Sequence, residues 1–210
     1  MIEDLTTITI KYTKADVLAV LAFSIFLFAI SPILTGLNKV TLTHIEGFNA
    51  FNVSVCFSTF LARCYTTCLL FDSHTFYTLV TSSTVASVVL HELTHVFLLR
   101  RFKVFFKVKT FKVSIIPMGI VLDYRSITIR EYVITALAPQ ALSTIVCLVM
   151  LVANRLCLAN QLTMFAMLMY VVNLVGGSGD LYGVFKTLVK VRTLDGVIRK
   201  VRDYEYVISL

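Results

Sequence analysis

Charge is scarce in this chain of 210 residues, and tryptophan is absent from it. Only 15% of the residues are Asp, Glu, Lys or Arg, whereas about 25% is usual in a soluble domain. The hydrophobic fraction is 58%, against about 45–50% in such domains. This composition excludes an ordinary soluble protein and indicates a chain that lies largely in lipid.

The cysteine pattern lacks the features of a disulfide-rich or zinc-finger protein. The five cysteines are odd in number and form no CxxC pair, so we expect small apolar residues in membrane helices rather than a disulfide framework. A clear cleavage site is also lacking after the first apolar run. We therefore expect this run to stay in the protein as an anchor, not to be removed as a signal peptide.

Four long apolar runs predict four transmembrane helices, at about residues 17–35, 76–99, 132–153 and 162–182. The segment Phe48–Phe71 is apolar too, but it contains Arg63 and several Ser and Thr residues. It could span the membrane, dip into it or lie on its surface.

The positions of the basic residues favour four spans over five. With four spans, 16 of the 19 Lys and Arg residues lie on one side, and only Lys39, Arg63 and Arg155 lie on the other. A fifth span would put Arg63 in lipid, at a cost of about 2.5–3.5 kcal/mol. Since Lys and Arg mark the cytoplasmic side, we expect both termini in the cytoplasm, a cell-membrane location, and Phe48–Phe71 at the outer face. This distribution also argues against nucleic acid as a partner, despite the net charge of +7.

Between the second and third apolar runs, the sequence has a β pattern interrupted by Pro117-Met118-Gly119. It predicts a small cytoplasmic hairpin at about residues 103–125. Thr128 and Glu131 match a capping box that starts the third span. The basic tail, residues 183–210, could end in a short strand near residues 204–208. We therefore predict a single membrane-embedded domain over residues 1–210, an all-α fold apart from this hairpin.

The second apolar run contains the motif His91-Glu92-Leu93-Thr94-His95, which reads HExxH. Residues i and i+4 share a helical face, so both imidazoles can bind one zinc ion. A bound zinc lowers the pKa of a water to about 7, and Glu92 can accept that proton as general base. Two His and one Glu have no inexpensive structural reason to lie in an apolar span.

A catalytic zinc needs a third protein ligand and an open position. His44 and His74 have a suitable side chain, but the predicted topology places both on the outer side. Asp180 lies at the cytoplasmic end of the fourth span, at the same depth as His95, and it follows the flexible segment Gly176-Gly177-Ser178-Gly179. We therefore predict Asp180 as the third ligand, with a solvated helix end as the alternative.

Asn173 lies one or two helical turns before Asp180. Its amide could bind a substrate carbonyl or the developing oxyanion. A structural hydrogen bond between helices is an equally reasonable interpretation.

At these residues the chain resembles the site-2 protease class of intramembrane zinc metallopeptidases, and more closely a family of zincin membrane peptidases related to it. The matching pieces are HELTH at 91–95, Pro139, and NLVGGSGD at 173–180. The resemblance implies that His91, His95 and Asp180 bind zinc and that Glu92 is the catalytic base. The chain departs from the site-2 protease pattern in lacking a proline next to Asp180.

The predicted function is hydrolysis of peptide bonds in or near the membrane, with lipid and a membrane-associated protein or peptide as partners. A zinc-binding scaffold without hydrolysis and a metal or solute transporter are the alternatives. A strand edge of the hairpin could receive an extended substrate by β-augmentation.

Overall fold

The computed structural model of the chain describes residues 7–35, 37–44, 51–58, 66–113, 116–155, 160–202 and 205–210. Five helices dominate these parts of the chain. They are α1 (Lys14–Thr35), α2 (Ser73–Arg101), α3 (Ile129–Arg155), α4 (Asn160–Gly176) and α5 (Ser178–Val191).

Among the described residues, three helices are long and apolar enough to cross a membrane, over Lys14–Leu34, Ser73–Arg101 and Ile129–Met150. The pair Gln161–Gly176 and Ser178–Val191 would be a fourth span, bent at its break. The fourth predicted span is therefore two helices, because the chain leaves the helical conformation at Gly177.

Nine strands form three antiparallel sheets in the described parts, so the expectation of an all-α fold with one hairpin is too narrow. The strands are β1 (Thr7–Lys11), β2 (Leu37–His44), β3 (Phe51–Ser58), β4 (Thr66–Asp72), β5 (Phe106–Val113), β6 (Ile116–Tyr124), β7 (Ser126–Thr128), β8 (Val197–Arg202) and β9 (Glu205–Ser209). The sheets have the orders β1-β9-β8-β7, β2-β3-β4 and β5-β6. The β5-β6 pair is the hairpin expected between α2 and α3.

The segment Phe48–Phe71, which was expected at the outer face of the membrane, contains strands, and its position relative to a membrane stays a prediction. Residues 51–58 form β3 and residues 66–71 belong to β4, while residues 48–50 and 59–65 lie outside the described parts. The alternation in β3 explains this, because Val53 and Val55 are buried while Asn52 and Ser54 are more exposed.

The cysteines also differ from expectation. Cys56 in β3 is disulfide-bonded, and Cys68 is its partner position in the register of β3 and β4. Cys147 in α3 is buried with a free thiol, as expected of an apolar residue in a helix.

The chain divides into two compact units. The first unit comprises Met1–Phe23, Leu90–Pro139 and Gly177–Leu210, and the second comprises Ser24–Val89 and Gln140–Gly176. Each has its own hydrophobic core. In the first unit the four-stranded sheet and the ends of α2, α3 and α5 contribute Ile10, Leu99, Ile127, Ile129, Val191, Ile198 and Ile208. In the second unit β3, β4, α3 and α4 contribute Val53, Val55, Phe71, Cys147, Met164 and Met167.

Local sequence signals define where the helices of the first unit begin and end. The predicted capping box is present: the Thr128 amide donates to Glu131 at 3.1 Å and the Glu131 amide donates to Thr128 Oγ1 at 3.2 Å. Helix α2 ends at Arg101; two residues later Lys103 adopts a left-handed φ of 56°, and the Val104 amide donates to the carbonyl of Leu99. The expected C-terminal strand is also present, as β9.

Candidate metal centre

The first unit brings His91 and His95 of α2 together with Asp180 of α5. His91 Nε2 lies 3.0 Å from Asp180 Oδ2, His95 Nε2 lies 3.2 Å from the same oxygen, and the two ring nitrogens are 3.0 Å apart. Among the residues that the structure describes, these three form the one cluster of His, Cys, Asp and Glu able to hold a metal ion. The fold thus brings Asp180, 85 residues after His95, into contact with both histidines, as expected from the sequence, and its role as a metal ligand stays a prediction.

The last turns of α2 orient the two histidines. His95 and Leu99 are four residues apart and thus share a helical face, and both are buried, at 7% and 1% exposure. Leu99 packs in the core of the first unit, so this face of the helix points inward. His91 lies on the same face one turn earlier, and its side chain is 13% exposed.

The break at Gly177 places Asp180 in the first turn of α5. The amides of Asp180 and Leu181 both donate to the carbonyl of Gly177 at 3.1 Å, which starts the new helix there. A carboxylate in a first turn is stabilised by the helix dipole and by the free amides of that end. The Asp180 side chain is 34% exposed, so Asp180 is the most accessible of the three clustered donors.

Contacts with the start of the chain hold α5 in place. Lys186 forms an ion pair with Asp16 at 2.5 Å, and Tyr182 donates to the same carboxylate at 2.7 Å. Lys190 donates to the carbonyl of Thr9 in β1. These bonds attach one face of α5 to β1 and the start of α1, and so help to hold Asp180 in position.

The donor set fits a zinc ion. Tetrahedral zinc with bonds of about 2.0–2.1 Å has ligand atoms about 3.3 Å apart, close to the three separations observed. Two imidazole nitrogens and a carboxylate oxygen each direct a lone pair towards one point. A shared proton at this point would bond to two of the three atoms, whereas a metal cation would bond to all three. Nitrogen and carboxylate donors are also ligands that zinc accepts.

Glu92 is half-buried and lies one residue after His91 and three before His95. Residues three apart are neighbours on a helix, so Glu92 occupies the face adjacent to the two histidines. Its side chain is therefore close to the cluster without being one of the three clustered donors.

Other residues considered from the sequence are elsewhere. Asn173 belongs to the second unit, where it is buried and its amide nitrogen donates to Gln140 Oε1 at 3.1 Å and to Ser143 Oγ at 2.7 Å. Gln140 Nε2 in turn donates to the backbone carbonyl oxygen of Asn173. His74 is exposed in the first turn of α2, also in the second unit, and the side chain of His44 lies outside the described parts.

These features define a class: a multi-helix chain, with three or four helices suited to a membrane, that carries a three-donor metal cluster built on HExxH. The chain belongs to the family described as "Putative zincin peptidase", whose model matches residues 84–193. The match runs from the middle of α2 past the end of α5 and so includes all three donors. Membership implies zinc as the metal. No curated protein and no solved structure matches the chain.

Proposed function

We propose that this protein is a membrane-embedded zinc metalloendopeptidase, related to the site-2 protease class, that hydrolyses peptide bonds in or near the membrane. The observation that carries the proposal is the convergence of His91, His95 and Asp180, with donor atoms 3.0–3.2 Å apart. The family match supports a peptidase, and the three apolar helices support a location in a membrane.

His91, His95 and Asp180 would hold the zinc ion, which when bound supplies a Lewis acid for the scissile carbonyl and the attacking water. Glu92 is the general base: its carboxylate accepts a proton from the attacking water and returns it to the leaving amine. Its partial burial in an apolar helix favours this role, because a carboxylate there is costly without a function. A role for Asn173 in holding the developing oxyanion stays a prediction.

Both termini and the metal centre are placed on the cytoplasmic side of the cell membrane in this proposal. The basic residues support it, because the 16 that the four-span topology assigns to one side all lie in the first unit. The disulfide at Cys56 in the second unit supports an oxidising compartment for β3.

The test compares the wild type with Glu92→Gln in detergent, using fluorescence-quenched peptides that vary at one central position. We expect Glu92→Gln to lower turnover about 10²- to 10⁴-fold, the usual contribution of a general acid–base group. Zinc content should stay at one per chain, because Glu92 is not among the clustered donors. Glu205→Gln in β9 is the matched control and should retain both activity and zinc.

Each alternative predicts a different result, the transporter in a separate uptake measurement. Equal turnover in wild type and Glu92→Gln would remove Glu92 as the base. A zinc-loaded wild type that cleaves none of the peptides would favour a zinc-binding scaffold. Zinc uptake into proteoliposomes would favour a transporter.

A further inference from the structure

The sheet β2-β3-β4 of the second unit has an apolar face that is exposed at one edge. Val40 lies opposite Val55 in the register of β2 and β3. Leu42 lies opposite Val53, which in turn lies opposite Phe71 of β4. Directly opposed residues lie on the same side of a sheet, so these five side chains share one face. The three in β3 and β4 are buried, at 4% exposure or less, whereas Val40 is 51% and Leu42 68% exposed.

Helices of the second unit cover the apolar face under β3 and β4. The three buried residues of these strands belong to one core with residues of α3 and α4, and Phe76 of α2 packs against that core. Val40 and Leu42 lie on the same face but outside the core, and we call them the β2 apolar edge. The apolar face therefore continues one strand beyond the helices that cover it.

The opposite face of the same strands is polar. Thr41 and Thr43 alternate with the β2 apolar edge, and Ser54 of β3 lies opposite Thr41. Ser54 Oγ lies 3.9 Å from Cys56 Sγ, which places the disulfide-bonded cysteine on this side too. The sheet thus has one face suited to water and one suited to apolar surroundings.

The connections to α1 and α2 orient this sheet along the surface of a membrane. One residue separates the end of α1 at Thr35 from the start of β2 at Leu37, and α2 begins at Ser73 directly after β4 ends at Asp72. Strands β2 and β4 are both antiparallel to β3, so they run in the same direction. The two ends of the strands therefore meet two different helices that suit a membrane. The 8 residues of β2 extend about 25 Å, so an upright sheet would hold one of these helix ends far above the surface.

We propose that the β2 apolar edge is a lipid-binding surface, and that Val40 and Leu42 insert between the phospholipids of the leaflet that adjoins the end of α1 and the start of α2. A sheet lying along the surface with its apolar face towards the helices turns this edge towards the lipid around those helices. The inference rests on the membrane location in the proposed function and is independent of the proposed catalysis.

The composition of β2 indicates which part of the lipid it contacts. Lys39 is the only Lys, Arg, Asp or Glu in this strand, so attraction to anionic headgroups, which takes a cluster of basic residues, is not the source of binding. Apolar faces of interfacial segments lie about 5–10 Å into the boundary between headgroups and acyl chains. Val40 and Leu42 should therefore contact the upper part of the acyl chains, in zwitterionic lipid as well as in anionic lipid.

The absence of tryptophan from the chain allows a direct test, because one introduced indole is the only one. Leu42→Trp and Val40→Trp place it at the β2 apolar edge, and Thr43→Trp on the polar face is the matched control; all three positions are exposed. Each full-length variant is reconstituted in phosphatidylcholine vesicles whose acyl chains carry bromine, a quencher, either near the headgroup or near the chain end. Acrylamide, present on both sides of the membrane, is the quencher in water.

We expect the emission of Leu42→Trp and Val40→Trp to lie at shorter wavelength than that of Thr43→Trp. Bromine near the headgroup should quench both edge variants, and bromine near the chain end should quench them less. Thr43→Trp should lose intensity to acrylamide and keep it in brominated lipid. Melting temperatures are measured on all variants, and Val40→Trp decides if Leu42→Trp fails to fold.

Two results would overturn the lipid-binding surface and leave the peptidase proposal standing. Equal quenching of Leu42→Trp and Thr43→Trp by acrylamide, with none by brominated lipid, would place the edge in water. Short-wavelength emission from the edge variants that neither quencher reduces would mean that protein, such as a second copy of the chain, covers the edge. A wild type that does not float with the vesicles would instead overturn the membrane location, and this surface with it.

Discussion

The two units of the chain differ most clearly in charge and in cysteine chemistry. The first unit contains 16 of the 19 Lys and Arg residues together with the His91–His95–Asp180 cluster. The second contains the remaining three basic residues, the disulfide at Cys56, and the hydrogen-bonded group of Asn173, Gln140 and Ser143. Basic residues and the clustered metal-binding donors are thus concentrated in one unit, and the disulfide lies in the other.

Neither unit is continuous in sequence, since the boundaries fall inside α1, α2 and α3 and at the break between α4 and α5. The separation of chemistry therefore follows the position of residues along each helix rather than their order in the chain. The comparison teaches that one helix can serve both units: α2 begins in the second with exposed His74 and ends in the first with His91 and His95.

The largest expected effect tests whether metal binding belongs to the first unit alone. His95→Ala removes one of three converging donors, so bound zinc should fall from about one to below about 0.1 per chain, and peptide hydrolysis should fall to background. His74→Ala on the same helix should keep full zinc and activity. Metal analysis of the purified variants measures both, and a zinc loss shared by the two variants would contradict a site confined to the first unit.

A second effect concerns the disulfide of the second unit. Cys56→Ser should lower the free energy of unfolding by about 2–4 kcal/mol, because the unfolded chain loses a covalent constraint. Zinc content should not change, since no clustered donor lies in that unit. Denaturant unfolding in detergent, with and without a reducing agent, measures the difference. Equal sensitivity of wild type and Cys56→Ser to reduction would contradict the expectation.

The smallest expected effect sharpens the comparison at Asn173. Asn173→Ala leaves the buried groups of Gln140 and Ser143 without this partner, so the free energy of unfolding should fall by about 1–3 kcal/mol. If Asn173 has only this structural role, the zinc content and the kcat of the variant stay near the wild-type values. A drop in kcat of about 10²-fold or more at unchanged stability would instead support the oxyanion role. Thermal unfolding and steady-state kinetics on the same preparation separate the two outcomes.

The helices were largely predictable because long apolar runs and capping residues are local signals. Thr128 and Glu131 correctly identified the start of α3, and the alternating pattern identified the β5-β6 hairpin. The other two sheets were not predicted. Strands β1 and β7 are short and join the β8-β9 hairpin only through long-range pairing. Strand β3 lies in a segment that was interpreted from its average polarity, which conceals the alternation of buried and exposed residues.

The cluster of His91, His95 and Asp180 could be predicted because helical spacing and membrane depth are both readable from sequence. The cavity lined by Tyr12, Tyr124, Tyr132 and Tyr206 could not be predicted. Its residues come from β1–α1, β6, α3, α5 and β9, and no spacing rule relates them. Only the folded chain shows that Tyr132 covers Gly183 one turn beyond Asp180.

The interruption at Gly177 has a consequence for how related sequences are interpreted. HExxH stays intact in any chain that keeps five residues of α2, whereas the position of the Asp180 carboxylate depends on a new helix that begins at Ser178, two residues earlier. A helix that continued without interruption through Gly177 would present a different face at position 180, and its carboxylate would point away from the place it occupies here. For related sequences, a break before the aspartate is therefore as informative as HExxH about whether the three donors can meet.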